Sequence, residues 1–89
     1  MTITPATLRQ LPLAEIGAVT FYKRDEITTD LICCEVDVGG QVWSFHEEAA
    51  GWSDLIAYLS ALPGFRTDWF ETVTSDPFST SETVAFERR

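Results

Sequence analysis

The 89-residue sequence has few of the residues that build catalytic and metal centres. It contains a single histidine, His46, and only two cysteines, Cys33 and Cys34. One histidine excludes any metal site that takes two histidines from one protomer. Neighbours on a strand point to opposite faces, so we expect no disulfide between the two cysteines, but two thiols in a reducing compartment.

Basic residues are also scarce, with 6 Lys and Arg against 14 Asp and Glu and a net charge of -8. Binding to a nucleic-acid backbone or an anionic membrane needs clustered basic side chains, and the sequence has no such cluster. No apolar run approaches the roughly 20 residues that span a bilayer, and the N-terminus lacks the pattern of a signal peptide. We therefore expect a cytoplasmic protein with no nucleic-acid or membrane partner.

Motifs with known chemistry are missing as well. The sequence has no phosphate-binding P-loop, no glycine-rich dinucleotide motif, no G-x-S-x-G nucleophile elbow and no C-x-x-C pair. What is present is a hydrophobic fraction of 45%, which is typical of a folded protein. The length predicts one small domain over residues 1–89. Residues 1–12, which show no clear period, are expected to form an N-terminal arm.

The clearest structural signal is a β-hairpin over residues 31–48. Gly39-Gly40 is typical of a two-residue turn. The pairs that this turn predicts are Val38 with Gln41, Val36 with Trp43, Cys34 with Phe45, and Cys33 with His46. Side chains alternate between the faces of a strand, so Val36, Trp43, Cys34 and Phe45 share one apolar face. A slip by one residue would mix apolar and polar side chains, so the turn and the pattern agree on one register.

Two further strands flank this hairpin in the sequence. The first covers residues 16–23, with Val19 and Phe21 facing the core. If Lys23 lies opposite Asp30 across a polar loop, Phe21 pairs with Ile32, although that loop fixes no turn type. The last strand covers residues 83–88 after a turn-rich segment, 75–81. Its alternation predicts two inward residues, Val84 and Phe86, and three outward ones, Thr83, Ala85 and Glu87.

Residues 52–62 show the period of an amphipathic helix. The residues of its apolar stripe are Trp52, Leu55, Ile56, Leu59 and Leu62. Asp54 lies in the first turn, where a negative charge is favourable, and Pro63-Gly64 ends the helix. A second, short helix is predicted to begin near residue 67, because Asp68 and Glu71 have the spacing of a capping box.

These elements predict an α+β fold in the order β-β-β-α-β. A three-stranded antiparallel meander packs on one amphipathic helix, and a short second helix follows. The C-terminal strand pairs at an edge of the sheet or with another copy of the protein.

Several short strings have a combined pattern that is similar to a known group of proteins. They are Phe21-Tyr-Lys-Arg-Asp25, Thr28-Thr-Asp-Leu-Ile-Cys33, Phe45-His-Glu-Glu48, Leu62-Pro-Gly64, Asp76-Pro-Phe78 and Glu82-Thr-Val-Ala-Phe-Glu-Arg88. Over about residues 13 to 88 the chain resembles a group of small bacterial cytosolic proteins, a family of unknown function. The resemblance implies bacterial origin and a compact cytosolic domain. It implies no catalytic residue.

Cys33 and His46 face each other across the predicted hairpin, with Glu35 one step along the same face. A thiol beside an imidazole can form a reactive thiolate, and a carboxylate can orient the ring. These three are the weak catalytic candidates. No helix N-terminus or glycine-rich turn adjoins Cys33 to hold an oxyanion, and a flat sheet face makes a poor pocket. We therefore expect ordinary structural residues here.

His46 and Glu48 alternate onto one face and are the weak candidates for ligating a divalent metal. Two ligands do not complete a site, and a third would have to come from Asp30, Asp54 or another subunit. The simpler interpretation is a solvated strand end that leads into a helix. We expect no bound metal and no other cofactor.

The outer face of the predicted sheet has more apolar side chains than a solvated face needs. The residues that we expect at an interface are Tyr22, Leu31, Cys33, Val42 and His46. An apolar patch on a small protein is typical of a subunit contact, so the sequence favours a non-enzymatic interaction module that forms a homodimer. Two alternatives stay open. One is an immunity-like inhibitor of a basic toxin, and the other is a small metal- or thiol-dependent enzyme that uses Cys33, His46 and Glu48.

Overall fold

An antiparallel sheet of four strands with three helices makes up the part of the chain that the computed structural model describes, residues 2–25, 30–74 and 82–88. The strands are β1 (Ile16–Asp25), β2 (Asp30–Val38), β3 (Gln41–His46) and β4 (Glu82–Glu87). The helices are α1 (Pro5–Arg9), α2 (Trp52–Leu59) and α3 (Trp69–Thr74), and Leu13–Glu15 forms a 3-10 turn. The order of strands in the sheet is β3-β2-β1-β4.

The α+β class is confirmed, but the predicted order lacks the helix that precedes β1. Thr4 caps α1, because its hydroxyl accepts a hydrogen bond from the Thr7 amide while the Thr7 hydroxyl accepts one from the Thr4 amide. Pro5 follows at the first helical position, where its missing N–H is no loss. This signal was present in the sequence, although threonine stands where a capping box usually has Glu or Gln.

The N-terminal segment is part of the core, so the prediction of an arm over residues 1–12 is wrong. Ile3 and Leu11 are buried, and the amide of Ile3 donates to the carbonyl of Ala50 at 2.7 Å. The Tyr58 hydroxyl donates to the Leu11 carbonyl at 2.7 Å. Two apolar anchors and these hydrogen bonds hold the segment along α2 and the turn that precedes it.

The hairpin of β2 and β3 has the predicted register, including the pairs Val36 with Trp43 and Cys33 with His46. Both turn glycines have positive φ, 59° at Gly39 and 90° at Gly40, which favours glycine at each position. The Asp37 carboxylate accepts the Gly40 amide at 2.9 Å and closes the turn. The predicted apolar face is the buried one.

The register between β1 and β2 differs from the predicted one by two residues. Lys23 lies opposite Ile32 rather than Asp30, and Phe21 lies opposite Cys34. A shift by two residues leaves every side chain on its predicted face, so the apolar pattern could not discriminate between the two registers. The strands run further than expected, to residue 25, and residues 26–29 lie outside the described part of the chain.

The predicted faces of β4 are wrong for Thr83, Val84 and Ala85. Thr83 and Ala85 are buried, and Val84 is 48% exposed. β4 pairs with β1 inside the same chain, but the register shifts after Phe86, so that Ala85 is an extra residue in the ladder. This bulge places both Ala85 and Phe86 against the core, which a strict alternation cannot predict. The predicted turn-rich segment 75–81 lies outside the described residues.

Arg88 holds the end of β4 to the start of β1. Its amide donates to the carbonyl of Gly17 at 2.8 Å. Its guanidinium donates to the carbonyls of Ile16 at 3.0 Å and Leu13 at 2.9 Å. These three bonds secure the C-terminal strand within its own chain.

The core lies between one face of the sheet and the helices. Leu55 and Leu59 of α2 are fully buried, as the apolar stripe predicts. α2 ends at Leu59 rather than Leu62, which is buried in the turn that follows. Trp69 of α3 stacks on Phe21 with ring centroids 3.8 Å apart, so the short second helix contributes an aromatic layer to the core.

Leu59→Ala should lower the free energy of unfolding by about 2–5 kcal/mol, because it leaves a cavity at a fully buried position. Urea denaturation measures the loss. Val84→Ala, at a half-exposed position, is the control and should change stability by about 0.5 kcal/mol or less. A loss below about 1 kcal/mol for Leu59→Ala would contradict its burial.

Gly51→Ala should destabilise the protein more than Gly40→Ala does. The two glycines have nearly the same φ, 91° and 90°, so alanine costs each about 1–2 kcal/mol of backbone strain. Only at Gly51 would the new Cβ overlap the backbone carbonyl of Ile3. Nothing lies within 4 Å of the Cβ at Gly40. Parallel thermal melts compare the variants, and equal losses would contradict the close packing of the N-terminal segment on Gly51.

Candidate functional site

Cys33 and His46 are brought together as the sequence predicts, as a directly opposed pair on β2 and β3. The Cys33 side chain is only 3% exposed, and its thiol donates to the Leu31 carbonyl at 3.8 Å. A buried thiol reacts slowly because reagents cannot reach it. The pair therefore lacks the access that a nucleophilic site needs.

No carboxylate among the described residues orients the His46 ring through its Nδ1 atom. Its Nδ1 atom is buried and has no hydrogen-bond partner among the described residues. A carboxylate that orients an imidazole usually accepts from one ring nitrogen while the other faces the nucleophile. Glu35 lies opposite Ser44, one pair further along the hairpin, and does not bond to Nδ1. The three candidates share a face without forming a triad.

Tyr22 covers Cys33 from the opposite side, since β1 places it directly across from that residue. Burial raises the pKa of the Tyr22 phenol, and the neighbouring Cys33 and Glu35 raise it further. Cys34 points into the core, where burial raises the pKa of its thiol. Both effects favour neutral side chains, which suits packing rather than acid–base chemistry at neutral pH.

Glu47, the first acidic residue after β3, continues the pairing of β3 with β2. The Glu47 amide donates to the Ile32 carbonyl at 2.9 Å, and the Glu47 carboxylate accepts the Ile32 amide at 3.0 Å. This side chain replaces a backbone carbonyl and extends the ladder by one pair. Glu48 and Asp54 are exposed, and the side chain of Asp30 lies outside the described part. Within the described ranges, no three His, Cys, Asp or Glu residues form a group that could hold a metal ion.

The predicted interface residues differ in how much surface they offer. Leu31 and Cys33 are 6% and 3% exposed within a single chain, and Tyr22 and His46 are partly buried. Val42 is 55% exposed. The apolar patch on the outer face is therefore smaller than the sequence indicates, because the chain covers half of it by itself.

The outer face of the sheet is acidic. The carboxylates placed there by the strand registers are Glu35, Asp37, Glu82 and Glu87. Arg24 lies opposite Leu31 on the same face. The residues that the described helices bury belong to the core on the opposite face of the sheet, so these charges face outward. Alternation alone predicts that Glu35 and Glu87 face outward, and the pairing of β4 with β1 brings the acids of the last strand onto the same face as those of the hairpin.

The two edges of the sheet are not alike. On β4, the bulge at Ala85 interrupts the ladder, and the Ala85 carbonyl accepts the Arg66 amide at 2.8 Å. The open groove beside it is lined by Gly64, Arg66 and residues 84–87, and it contains none of the predicted site residues. On β3, the six residues are regular and pair with β2 alone among the described strands. The open edge strand is a feature that the sequence motifs do not reveal, because it depends on the order of the strands in the sheet.

No protein-family model, curated protein or solved structure matches this chain. The resemblance to small bacterial proteins therefore stays a prediction. In the described part of the chain, none of the helices has the length and apolar character needed to cross a membrane.

Both thiols should react slowly with a disulfide reagent such as dithionitrobenzoate in the folded protein. Both cysteines are free and buried, so reaction must await local opening, and we expect rates about 100-fold or more below those of the urea-unfolded chain. Cys33→Ser and Cys34→Ser assign each phase to one thiol. Rapid modification of Cys33 near pH 6 would contradict its structural role and favour the thiol enzyme.

Proposed function

We propose that this protein is a non-enzymatic interaction module that associates with a second copy of itself. The observation that carries the proposal is the one-sided architecture. The helices pack on one face of the sheet, and the regular edge strand β3 has no neighbour beyond it among the described elements. An exposed strand edge presents unpaired backbone groups and is a template for pairing with another chain.

The geometry around Cys33 and His46 supports a role other than catalysis. The thiol is buried, the Nδ1 atom of His46 has no partner in the described residues, and Glu47 is engaged by the backbone of Ile32. Cys33 and His46 are packed within the sheet, and Glu48, the third residue of the enzyme hypothesis, is exposed and joins no group of metal ligands among the described residues. The metal- or thiol-dependent enzyme is therefore the less supported reading.

A second candidate function is binding to a basic protein, as an immunity-like inhibitor binds a basic toxin. The acidic outer face supports it, because opposite charge favours encounter and correct orientation of a partner. The net charge of -8 acts in the same direction. Two free cysteines are compatible with the cytoplasmic location and bacterial origin that we also propose.

Salt dependence discriminates between the two candidates. Two copies that each carry a net charge of -8 repel one another, and salt screens this repulsion beyond about 8 Å at physiological ionic strength. Self-association should therefore strengthen as salt is added. Binding to a basic partner should weaken, because the same ions screen attraction.

Size exclusion with light scattering at micromolar concentration should give a species of twice the 10.0 kDa chain mass, and its fraction should rise with salt. The reason is that an unprotected strand edge can pair, while the acidic charge opposes the approach. A species at the chain mass throughout, up to high micromolar concentration, would contradict self-association. Co-purification from the native host would then test the basic partner.

A further inference from the structure

We infer that the second copy pairs with β3, edge to edge and antiparallel, around a two-fold axis at Ser44, so that two sheets of four strands become one continuous sheet of eight. This inference rests on the proposed self-association and names the surface that carries it. The surface is the outer edge of β3, Gln41–His46, and the occupant is the same strand of another copy.

The direction of one backbone hydrogen bond fixes which groups of β3 are open. The Glu47 amide donates inward to the Ile32 carbonyl of β2. Backbone amides alternate in direction along a strand, so the amides of residues 45, 43 and 41 also point toward β2. The amides of Val42, Ser44 and His46 must then point away from the sheet. In the described ranges these three amides have no hydrogen-bond partner.

β3 also lacks the features by which edge strands normally avoid pairing. Proteins protect such edges with proline, with charged side chains, with bulges or with a covering segment. β3 has no proline, lysine, acidic residue or register shift over its six residues. β4 has a bulge at Ala85, and along its free edge the Ala85 carbonyl already accepts a hydrogen bond from the Arg66 amide. Of the two edges of the sheet in the described part of the chain, the β3 edge is therefore the one suited to pairing.

The axis at Ser44 is the register that uses every outward amide. It places Ser44 opposite Ser44 of the second copy, and Val42 opposite His46 on both sides of the axis. The backbone groups of these residues point away from the sheet, so the central Ser44 pair can exchange two hydrogen bonds. In each flanking pair the His46 amide can donate to the Val42 carbonyl, and the His46 carbonyl, which already accepts the Ala49 amide at 3.0 Å, has a second lone pair for the Val42 amide. On the core-facing side the same register puts the half-buried Trp43 beside Phe45 of the second copy. An aromatic cross-strand pair of this kind stabilises a sheet.

Electrostatics favour the edge over the outer face as the site of contact. Face-to-face contact of two copies would oppose carboxylates such as Glu35 and Asp37 with their own counterparts, at a cost in like-charge repulsion. Edge pairing keeps the two acidic faces side by side, and β3 itself has no Asp, Glu, Lys or Arg side chain. Two-fold pairing also closes the assembly at two copies.

The first test compares Ser44→Pro with Ser44→Ala by sedimentation equilibrium. Proline removes an amide that points away from the sheet, which an edge strand tolerates in the folded monomer. Loss of the two central hydrogen bonds should raise the dimer dissociation constant about tenfold or more, and Ser44→Ala, which keeps the amide, should change it less than about threefold. Circular dichroism verifies that both variants fold.

The second test uses charge and does not depend on proline being tolerated. Because Ser44 meets itself on the axis, Ser44→Lys and Ser44→Glu should each weaken the dimer, and an equimolar mixture of the two should restore it as a heterodimer. Val84→Lys and Val84→Glu make the same changes of charge on the exposed face of β4 and are the matched controls. Each should leave the dissociation constant of the dimer unchanged. A dimer formed through β4 does not predict this rescue, and Ser44→Pro distinguishes edge pairing from a face-to-face contact at Ser44.

The outcomes separate the inference from the proposed function. A wild-type dimer that Ser44→Pro leaves intact, or a mixture without rescue, would overturn pairing through β3 and leave self-association standing. A wild-type chain that stays monomeric would overturn both. Weakening by each Ser44 variant with rescue in the mixture is the result that we expect.

Discussion

The register of the hairpin formed by β2 and β3 is the constraint on which the rest of the structure depends. The turn at Gly39-Gly40 needs left-handed backbone at both residues, and the pair that it closes sets every cross-strand partner up to Cys33 and His46. That register decides which side chains meet the helices and which remain outside. It also decides which amides of β3 point away from the sheet.

The same constraint explains why the polar residues of the hairpin look like a site without acting as one. Alternation places Cys33, Glu35 and His46 on one face, as it would in a thiol enzyme. Packing then buries Cys33 and leaves the Nδ1 atom of His46 without a partner in the described region. Proximity along a strand pair is a consequence of the fold, whereas chemistry also needs access and orientation.

The parts of the fold that could be predicted are those in which two local signals agree. The glycine turn and the alternation agreed on the hairpin, and the helical period identified the buried Leu59. The β1–β2 register and the faces of β4 could not be predicted, because a shift by two residues keeps the pattern and a bulge breaks it. The burial of Lys23 on the core side also follows from tertiary packing alone. The open edge of β3 required the order of the strands.

Residue-resolved amide hydrogen exchange tests most directly whether this register leaves an edge that a second copy takes. In dilute solution the amides of Val42, Ser44 and His46 should exchange rapidly, while those of Trp43 and Phe45, which point into the sheet, are protected. At concentrations where the dimer dominates, all five amides should be protected. Protection that does not alternate in the monomer would contradict the register, and outward amides that stay fast in the dimer would contradict the pairing.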